Sequence, residues 1–275
     1  MKLIDGTLVA SRLVEKIKHE VARLPSQPGL ACILVGNHSA SHTYVKMKQK
    51  RCQDVGIYSE VHPLPDTTSK EHLIQLIESL NQRDDIDGIL IQQPLIHTDL
   101  MEVVSPKKDV DGFHPLNMGK LLLGHEDGFI PCTPLGIVAL LEAYQIPTEG
   151  KRVLIIGRSN IVGKPLAALL MNRRYNATVT LAHSKTKELH LLSQEADILI
   201  AAMGAPRQIQ RNMVKKGAVV IDVGITRLDG HLVGDVDFEG MSHHVSAITP
   251  VPGGVGPMTI AMLLANTLLS YQRWR

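Results

Sequence analysis

Residues 152–165 read Arg152-Val-Leu-Ile-Ile-Gly-Arg-Ser-Asn-Ile-Val-Gly-Lys-Pro165, and this stretch decides the fold. Its apolar run, residues 153–156, is typical of a buried parallel strand. Gly157 and Gly163 follow in a turn, after which a helical pattern begins. A strand, a glycine turn and a helix start present backbone N–H groups and a positive dipole end to a phosphate. The stretch therefore predicts a dinucleotide site in the middle of the chain.

The turn differs from the common fingerprint G-x-G-x-x-G, because Ser159 stands where that pattern has its middle glycine. Taken alone, the pattern also fits an ordinary strand-to-helix turn in which glycine supplies a positive φ. Further strand-like segments follow at residues 178–182, 197–201 and 218–223, and helix-like segments separate them. This alternation predicts a parallel sheet and favours the dinucleotide interpretation.

The segment after the second strand of this series indicates which dinucleotide binds. An NAD site usually has Asp or Glu about 20 residues beyond the glycine turn, on the ribose 2′-hydroxyl. Here residues 182–186 read Ala-His-Ser-Lys-Thr, with no acid, and Arg158 lies in the turn itself. A hydroxyl and two cations suit the 2′-phosphate of NADP, although a solvated basic loop has the same composition. The residues favour NADP over NAD.

The first half of the chain has strand and helix signals of its own. Residues 30–35 and 88–91 are short apolar runs typical of buried parallel strands. Residues 68–83 have the pattern of an amphipathic helix, with Thr68 and Glu71 as a capping box. Together with the dinucleotide half, these segments predict an α/β protein of two lobes.

The lobes are expected to divide near residue 132, after a segment rich in Pro, Gly, Asp and His. We predict an N-terminal α/β catalytic domain over residues 1–132 and a Rossmann-type domain over residues 133–255. The final helix, residues 256–275, is apolar almost all round and is expected to pack back onto the first domain.

Composition limits the functions open to this chain of 275 residues. A net charge of +2 and only 3 % aromatic residues argue against a nucleic-acid surface. The 3 cysteines are widely spaced and the 13 histidines form no ligand pattern, so we expect neither disulfides nor a metal site. Free cysteines indicate a reducing compartment, and we see no signal peptide or membrane span. We expect a cytoplasmic protein.

Tyr44 and Lys48 are the first candidates for catalysis. Their spacing of four residues, in a stretch of good helix formers, puts both side chains on one helical face. Lysine amines shielded from water beside a phenol can exchange protons near neutrality. A solvated basic helix also fits, because Lys46, Lys50 and Arg51 lie nearby. Short-chain dehydrogenases share the spacing but carry it after the dinucleotide turn, so that interpretation is disfavoured.

Two further clusters have open interpretations. Asp109-Val-Asp111-Gly112 is a turn with two carboxylates, which suits either a solvated surface or a substrate clamp. Pro252-Gly-Gly-Val-Gly-Pro257 suits either the close approach of backbone to a flat ligand or a rigid bend.

With these pieces in place, the chain resembles the bifunctional methylenetetrahydrofolate dehydrogenase/methenyltetrahydrofolate cyclohydrolase family, of the FolD type, over essentially its whole length. The resemblance rests on ordered motifs: Val35-Gly36 with Ser41, Tyr44 and Lys48; Gln92-x-Pro94-Leu95; Lys108-Asp-Val-Asp-Gly112; Pro131-Cys-Thr-Pro134; Gly157-Arg-Ser-x-x-Val-Gly-x-Pro165; His183-Ser-Lys-Thr186; Gly234-Asp-Val236; and Thr249-Pro-Val-Pro-Gly-Gly-Val-Gly-Pro-Met-Thr259. Gln93 and Ile96 depart from it, since the family usually has Leu and Pro at those positions.

The resemblance implies two reactions on tetrahydrofolate derivatives. 5,10-Methylenetetrahydrofolate would pass a hydride to NADP, and the resulting methenyl cation would be hydrolysed to 10-formyltetrahydrofolate. It also implies an active-site cleft between the lobes and a homodimer.

The resemblance further assigns roles to particular residues. Lys48 would be the general acid/base, Tyr44 would stack on the folate, Gln92 would tune Lys48, and Asp111 would hold the pterin. The other implied positions are Gly157, Arg158, Ser159, Gly163, Ser184 and Ile225 for the cofactor, and Pro252, Gly253 and Gly254 for the substrate.

A monofunctional dehydrogenase on the same scaffold and a non-catalytic dinucleotide sensor are the alternatives. The sensor is disfavoured because the four residues with implied catalytic roles are all present.

Overall fold

The computed structural model describes residues 1–37, 39–92 and 98–275, without the side chains of residues 39, 40 and 98. Gln93 and Ile96, the two departures from the family pattern, lie outside the described residues. Contacts divide the chain into two compact units. The first unit holds Met1–Ala10, Leu121–His125 and Thr133–Thr259; the second holds Ser11–Lys120, Glu126–Cys132 and Ile260–Arg275.

Helices and strands alternate along most of the described chain. The α-helices are α1 (Gly6–Val21), α2 (Ser39–Val55), α3 (Lys70–Gln82), α4 (Pro115–Leu123), α5 (Cys132–Ala143), α6 (Gly163–Met171), α7 (Leu189–Glu195) and α8 (Val255–Trp274). The strands are β1 (Lys2–Leu3), β2 (Gly29–Val35), β3 (Tyr58–Leu64), β4 (Gly88–Ile91), β5 (Arg152–Ile156), β6 (Thr178–Ala182), β7 (Ile198–Ala201), β8 (Val219–Asp222), β9 (Thr226–Leu228), β10 (His231–Val233) and β11 (Ala247–Ile248). Each helix in the described part of the chain is too short or too polar to cross a bilayer.

The first unit is built on a six-stranded sheet of order β1-β11-β8-β7-β5-β6, in which every neighbouring pair is parallel. Apart from Arg152 at the start of β5 and Asp222 at the end of β8, its central strands are apolar, because helices and loops cover both faces of a parallel sheet. Leu199, Ile200 and Val220 are fully buried. β9 and β10 form a separate antiparallel hairpin.

The edge strand β1 was not predicted. Lys2 and Leu3 pair in parallel with Ala247 and Ile248 of β11, so the start of the chain joins the sheet of the first unit. The sequence assigned these residues to the N-terminal domain, whereas contacts group Met1–Ala10 with Thr133–Thr259. The bounds of the functional domains stay a prediction.

The second unit contains a three-stranded parallel sheet of order β3-β2-β4. Ile33 of β2 pairs with Ile91 of β4, and both are buried with Ile77 and Leu80 of α3. The apolar runs at residues 30–35 and 88–91 therefore form strands as predicted.

The predicted cap of α3 was wrong by one residue. Ser69, with extended φ and ψ of −67° and 153°, is the N-cap, and its side chain accepts a hydrogen bond from the His72 N–H at 3.2 Å. Thr68 lies one residue before the cap, so Thr68 and Glu71 form no capping box. Ser and Thr are both favoured N-cap residues, so the pair of adjacent hydroxyl residues left the cap open to either, and the backbone conformation decides between them. The predicted two-domain α/β fold itself is confirmed.

Candidate active site

Lys48 lies at the centre of a group of predicted catalytic side chains in the second unit. Its Nζ donates to the amide oxygen of Gln92 at 3.0 Å, directly after β4 ends. One turn earlier on α2, the ring centroid of Tyr44 lies 5.6 Å from the same Nζ. The lysine side chain is buried, with 8 % exposed. It is therefore not part of a solvated basic face, although Lys46 and Lys50 of the same helix are exposed.

Asp111 is the fourth predicted catalytic residue, and it belongs to the same group. Burial raises the pKa of its carboxyl, while the charge of Lys48 and a hydrogen bond from the Cys132 thiol lower it. Burial also raises the pKa of the Cys132 thiol well above its usual value, so this thiol is a neutral donor. The structure thus brings Tyr44, Lys48, Gln92 and Asp111 together.

The thiols in this group were not predicted as site residues. Cys132 donates to the Val110 carbonyl at 3.4 Å as well as contacting Asp111. Cys32, on β2, has a pKa raised to about 11 by burial, and the charges of Lys48 and Asp111 act on it. The sequence signal for Cys132 was its motif, Pro131-Cys-Thr-Pro134, whereas Cys32 lies in a run that reads only as a strand.

Asn266 of α8 is a second missed residue. Its amide donates to the carbonyls of Val110 at 2.8 Å and Ile130 at 3.1 Å, and the side chain is 3 % exposed. One turn later, Ser270 donates to the carbonyls of Asp87 and Lys107. An amide in a largely apolar helix was the available signal. Through Asn266, the last helix holds the two segments that carry Asp111 and Cys132.

The turn that carries Asp111 is held by the other carboxylate of its motif. Asp109 accepts hydrogen bonds from the N–H groups of Phe113 and His114 and from the Asn117 amide, at 2.8–3.1 Å. Burial nevertheless raises the Asp109 pKa to about 7. Asp109 is therefore a structural carboxylate and not a solvated one.

Gly112 lets the same turn pack closely. Its φ is +77°, and a Cβ there would lie 2.6 Å from the backbone nitrogen of Pro131. Only glycine accommodates both the positive φ and this contact.

The predicted dinucleotide turn lies between β5 and α6 of the first unit. Gly157 has a φ of +127°, and a Cβ on it would overlap the carbonyl oxygen of Ala202. A Cβ on Gly163, the first residue of α6, would likewise overlap the Gly157 carbonyl. The Ser159 hydroxyl accepts from the Val162 N–H at 3.1 Å. Because Gly157 and Gly163 lack side chains, the backbone of this turn packs closely at the N-terminus of α6. A closely packed glycine turn at a helix N-terminus fits a dinucleotide phosphate.

The segment after β6 fits a 2′-phosphate. The His183 N–H donates to the Thr186 hydroxyl at 2.9 Å, and the Lys185 N–H donates to His183 Nδ1 at 3.1 Å. Ser184 and Lys185 are exposed in this ordered turn, as is Arg158 in the glycine turn. Hydroxyl and cationic groups without a carboxylate are what a doubly charged phosphate requires.

The remaining predicted positions also belong to the first unit. Ile225 follows β8 with 49 % of its side chain exposed. Pro252, Gly253 and Gly254 precede α8, and the carbonyl of Gly253 accepts from the Thr7 N–H at 3.0 Å. Across residues 1–37, 39–92 and 98–275, no group of three or more His, Cys, Asp or Glu side chains is arranged to hold a metal ion.

Comparisons with known proteins bear on both units. Residues 4–111 match the catalytic-domain model of the tetrahydrofolate dehydrogenase/cyclohydrolase family, and residues 131–275 match its NAD(P)-binding-domain model. The bifunctional protein FolD of Campylobacter curvus is 53 % identical over 280 residues, which cover 99 % of this chain and 96 % of that protein.

Solved structures agree with these matches. The bifunctional methylenetetrahydrofolate dehydrogenase/cyclohydrolase FolD of Campylobacter jejuni has a TM-score of 0.96 and 49 % identity, with 99 % of each chain covered. The Trypanosoma brucei methylenetetrahydrofolate dehydrogenase-cyclohydrolase, complexed with NADP and an inhibitor, has a TM-score of 0.93 and 36 % identity. That match covers 98 % of this chain and 97 % of the other.

Proposed function

The chain belongs to the tetrahydrofolate dehydrogenase/cyclohydrolase family, and on that premise we propose that Lys48 is the general acid and base of its hydrolytic reaction. The chain is a bifunctional enzyme. It oxidises 5,10-methylenetetrahydrofolate to the 5,10-methenyl form with NADP, and it hydrolyses that product to 10-formyltetrahydrofolate.

One observation carries the role of Lys48: a buried amine is held at a fixed position by the Gln92 amide oxygen, 3.0 Å away. In hydrolysis, water adds to the methenyl carbon and loses a proton, which the neutral lysine amine accepts. The ring nitrogen then takes a proton from the ammonium as its bond to that carbon breaks, and the carbinol hydroxyl releases its remaining proton to solvent as the formyl C=O forms. The lysine ends in its starting state, as a general acid and base must.

The neighbouring side chains orient the substrate around Lys48. Tyr44 presents an aromatic face on which the flat pterin stacks. The Asp111 carboxylate accepts hydrogen bonds from the pterin N–H groups, and the Cys132 thiol orients that carboxylate. The family resemblance also implies substrate contacts at Pro252, Gly253 and Gly254.

The cofactor residues follow from the glycine turn. NADP supplies the hydride acceptor when it is bound. Gly157, Ser159 and Gly163 hold its phosphates at the N-terminus of α6, and Ile225 packs against it. Arg158 and Ser184 contact the 2′-phosphate and so favour NADP over NAD.

Methenyltetrahydrofolate absorbance tests these assignments. We expect the wild type to form the methenyl compound with NADP, to form less with NAD, and to hydrolyse methenyltetrahydrofolate supplied without any dinucleotide. Lys48→Met should lower the hydrolysis rate by about 10²- to 10⁴-fold, the usual contribution of general acid–base catalysis. Lys46→Met is the matched control, because Lys46 is exposed on the same helix.

The outcomes separate the alternatives. Hydrolysis that survives in Lys48→Met removes the role given to Lys48. A wild type that reduces NADP without hydrolysing the methenyl compound is a monofunctional dehydrogenase, and one that binds NADP without either reaction is a sensor.

The assembly and location of the enzyme complete the proposal. We propose a homodimer, as the family resemblance implies, and light scattering of the purified protein measures its mass directly. We also propose that the enzyme is cytoplasmic, because Cys32, Cys52 and Cys132 are buried free thiols, which a reducing compartment preserves. Fractionation of cells with an antibody to the protein tests this location.

A further inference from the structure

Two buried carboxylates lie at the end of the large sheet where its parallel strands finish. Asp222 is the last residue of β8, and Asp235 follows β10 in the motif Gly234-Asp-Val236. Their exposed fractions are 3 % and 0 %. Burying carboxylates is costly unless hydrogen bonds compensate, so the partners of these two groups indicate what they do.

Asp235 holds the loop that leaves β7. One carboxylate oxygen accepts from the N–H groups of Met203 at 2.6 Å and Gly204 at 3.0 Å, and the other accepts from Ala205 at 2.8 Å. Three consecutive N–H groups that converge on one anion form a nest, the arrangement that often binds phosphate. Here a carboxylate of the protein itself satisfies all three donors. The loop is thereby fixed, and these donors are not offered to a ligand phosphate.

Asp222 holds the next loop and Asp235 itself. One oxygen accepts from the N–H groups of Gly224 at 3.0 Å and Asp235 at 2.9 Å, and the other accepts from Val236 at 2.9 Å. A Cβ on Gly224 would overlap the Asp235 carboxylate, so this glycine allows the two loops to approach. The carboxylates therefore join residues 203–205, 224 and 234–236 into one hydrogen-bonded layer.

The position of this layer relates it to the dinucleotide. In the sheet, β5 lies between β6 and β7, and β8 follows β7. A dinucleotide with its phosphates at the turn after β5 and its 2′-phosphate near Ser184 after β6 extends its other half over the ends of β7 and β8. The loops held by Asp222 and Asp235 are those ends. Ala202, whose carbonyl abuts Gly157, connects this layer directly to the glycine turn.

We propose that Asp222 and Asp235 are positioning residues for NADP: they fix the two loops that line the nicotinamide half of its site. This inference rests on the proposed assignment of the glycine turn to the cofactor. The carboxylates contact no part of the cofactor themselves. They keep Ile225 and the 203–205 loop in the binding conformation before the dinucleotide arrives, which lowers the ordering cost of binding.

The bifunctional chemistry separates this role from a purely structural one. Asp235→Asn keeps the size of the side chain but turns an N–H₂ group toward backbone N–H donors. We expect the NADP dissociation constant, measured by isothermal titration calorimetry, to rise at least tenfold. Hydrolysis of methenyltetrahydrofolate without dinucleotide should stay within about twofold of the wild type, because Lys48 and its partners belong to the other unit.

Asp197→Asn is the matched control. Asp197 also accepts a backbone N–H, from Arg152 at 2.9 Å, but it lies at the opposite end of the same sheet, where β5 and β7 begin. We expect its NADP dissociation constant to equal that of the wild type.

Gly204→Ala provides a second test that leaves both buried acids intact. Gly204 has a φ of +65° with open space around its Cβ position, so an alanine there strains the loop without a clash. We expect weaker NADP binding with unchanged hydrolysis. If Asp235→Asn does not fold, the NADP affinity of Gly204→Ala tests the proposal in its place.

The proposal is overturned if Asp235→Asn or Gly204→Ala folds and binds NADP as tightly as the wild type does. It is also overturned if Asp197→Asn loses as much affinity for NADP as Asp235→Asn. A wild type that fails to bind NADP refutes the proposed function instead.

Discussion

Gly112→Ala tests whether the turn beside Asp111 tolerates any added atom. A non-glycine residue at the observed φ of +77° costs about 1–2 kcal/mol. The new Cβ would also lie 2.6 Å from the Pro131 nitrogen and 2.8 Å from the Ile130 carbonyl carbon, where overpacking costs about 1–3 kcal/mol. The Ile130 carbonyl cannot retreat freely, because Asn266 donates to it. We therefore expect a total loss of about 2–5 kcal/mol in the free energy of unfolding.

Gly56→Ala, in the same unit, separates the two contributions. Gly56 has a φ of +83°, but the nearest atom to its Cβ position is a side-chain carbon of Val21 at 3.4 Å, an ordinary contact. This control should lose only about 1–2 kcal/mol. Urea unfolding measures both variants, and the KM for methenyltetrahydrofolate should rise in Gly112→Ala alone because Asp111 moves.

Equal stability losses and unchanged KM values in Gly112→Ala and Gly56→Ala would refute this reasoning. Such a result would mean that the 130–132 segment moves away without cost and that Asp111 keeps its position.

Three further predictions concern other contacts of the two units. Asn266→Ala removes the amide donor of the Ile130 carbonyl and leaves the Val110 carbonyl with only the weaker thiol donor of Cys132. We therefore expect the free energy of unfolding, measured with urea, to fall by about 1–3 kcal/mol and the folate KM to rise; unchanged values would show that water replaces the amide. The raised pKa of Asp109, about 7, means that the folded state binds its proton more tightly than the unfolded chain, so its contribution to stability falls as pH rises from about 4 to about 7. Urea unfolding across that pH range should show this fall in the wild type and a weaker one in Asp109→Asn; parallel curves would contradict it. Arg158→Ala should weaken NADP binding about tenfold, as expected for a lost charge-assisted contact, and leave NAD binding unchanged by calorimetry; an equal loss for both would place Arg158 away from the 2′-phosphate.

Local patterns predicted the parts of the molecule that depend on local sequence. The strands at residues 88–91 and 152–156 follow from continuous apolar runs. The pairing of Tyr44 with Lys48 follows from helical spacing, since both lie on α2. The glycine turn also lies where its motif predicted it, between β5 and α6.

Contacts between distant segments left no such signal. β1 has two residues, too few for a periodic pattern, and its partner lies near the other end of the sequence. In the sequence, Asn266 is an isolated polar residue in a largely apolar helix, and only the structure shows that it binds the carbonyls of residues 110 and 130. The contacts of the Asp235 carboxylate could not be predicted either. Its three partners are backbone N–H groups, which nearly every residue type provides, so the sequence of residues 203–205 does not indicate them.

The interleaved path of the chain has a consequence for its synthesis. The first unit needs Met1–Ala10 at one end of the chain and Thr133–Thr259 far beyond, and the second unit needs Ile260–Arg275 after most of the first has been made. On the ribosome, β1 therefore waits for β11, and the segments flanking Asp111 wait for α8. The second unit cannot complete its fold before residues 260–275 are made, by which point every segment of the first unit has been made, so a ribosome that stalls after Thr259 leaves the second unit unfinished. Domains usually fold one after the other during synthesis, whereas here Met1–Ala10 and Thr133–Thr259 of the first unit flank most of the second unit in the sequence.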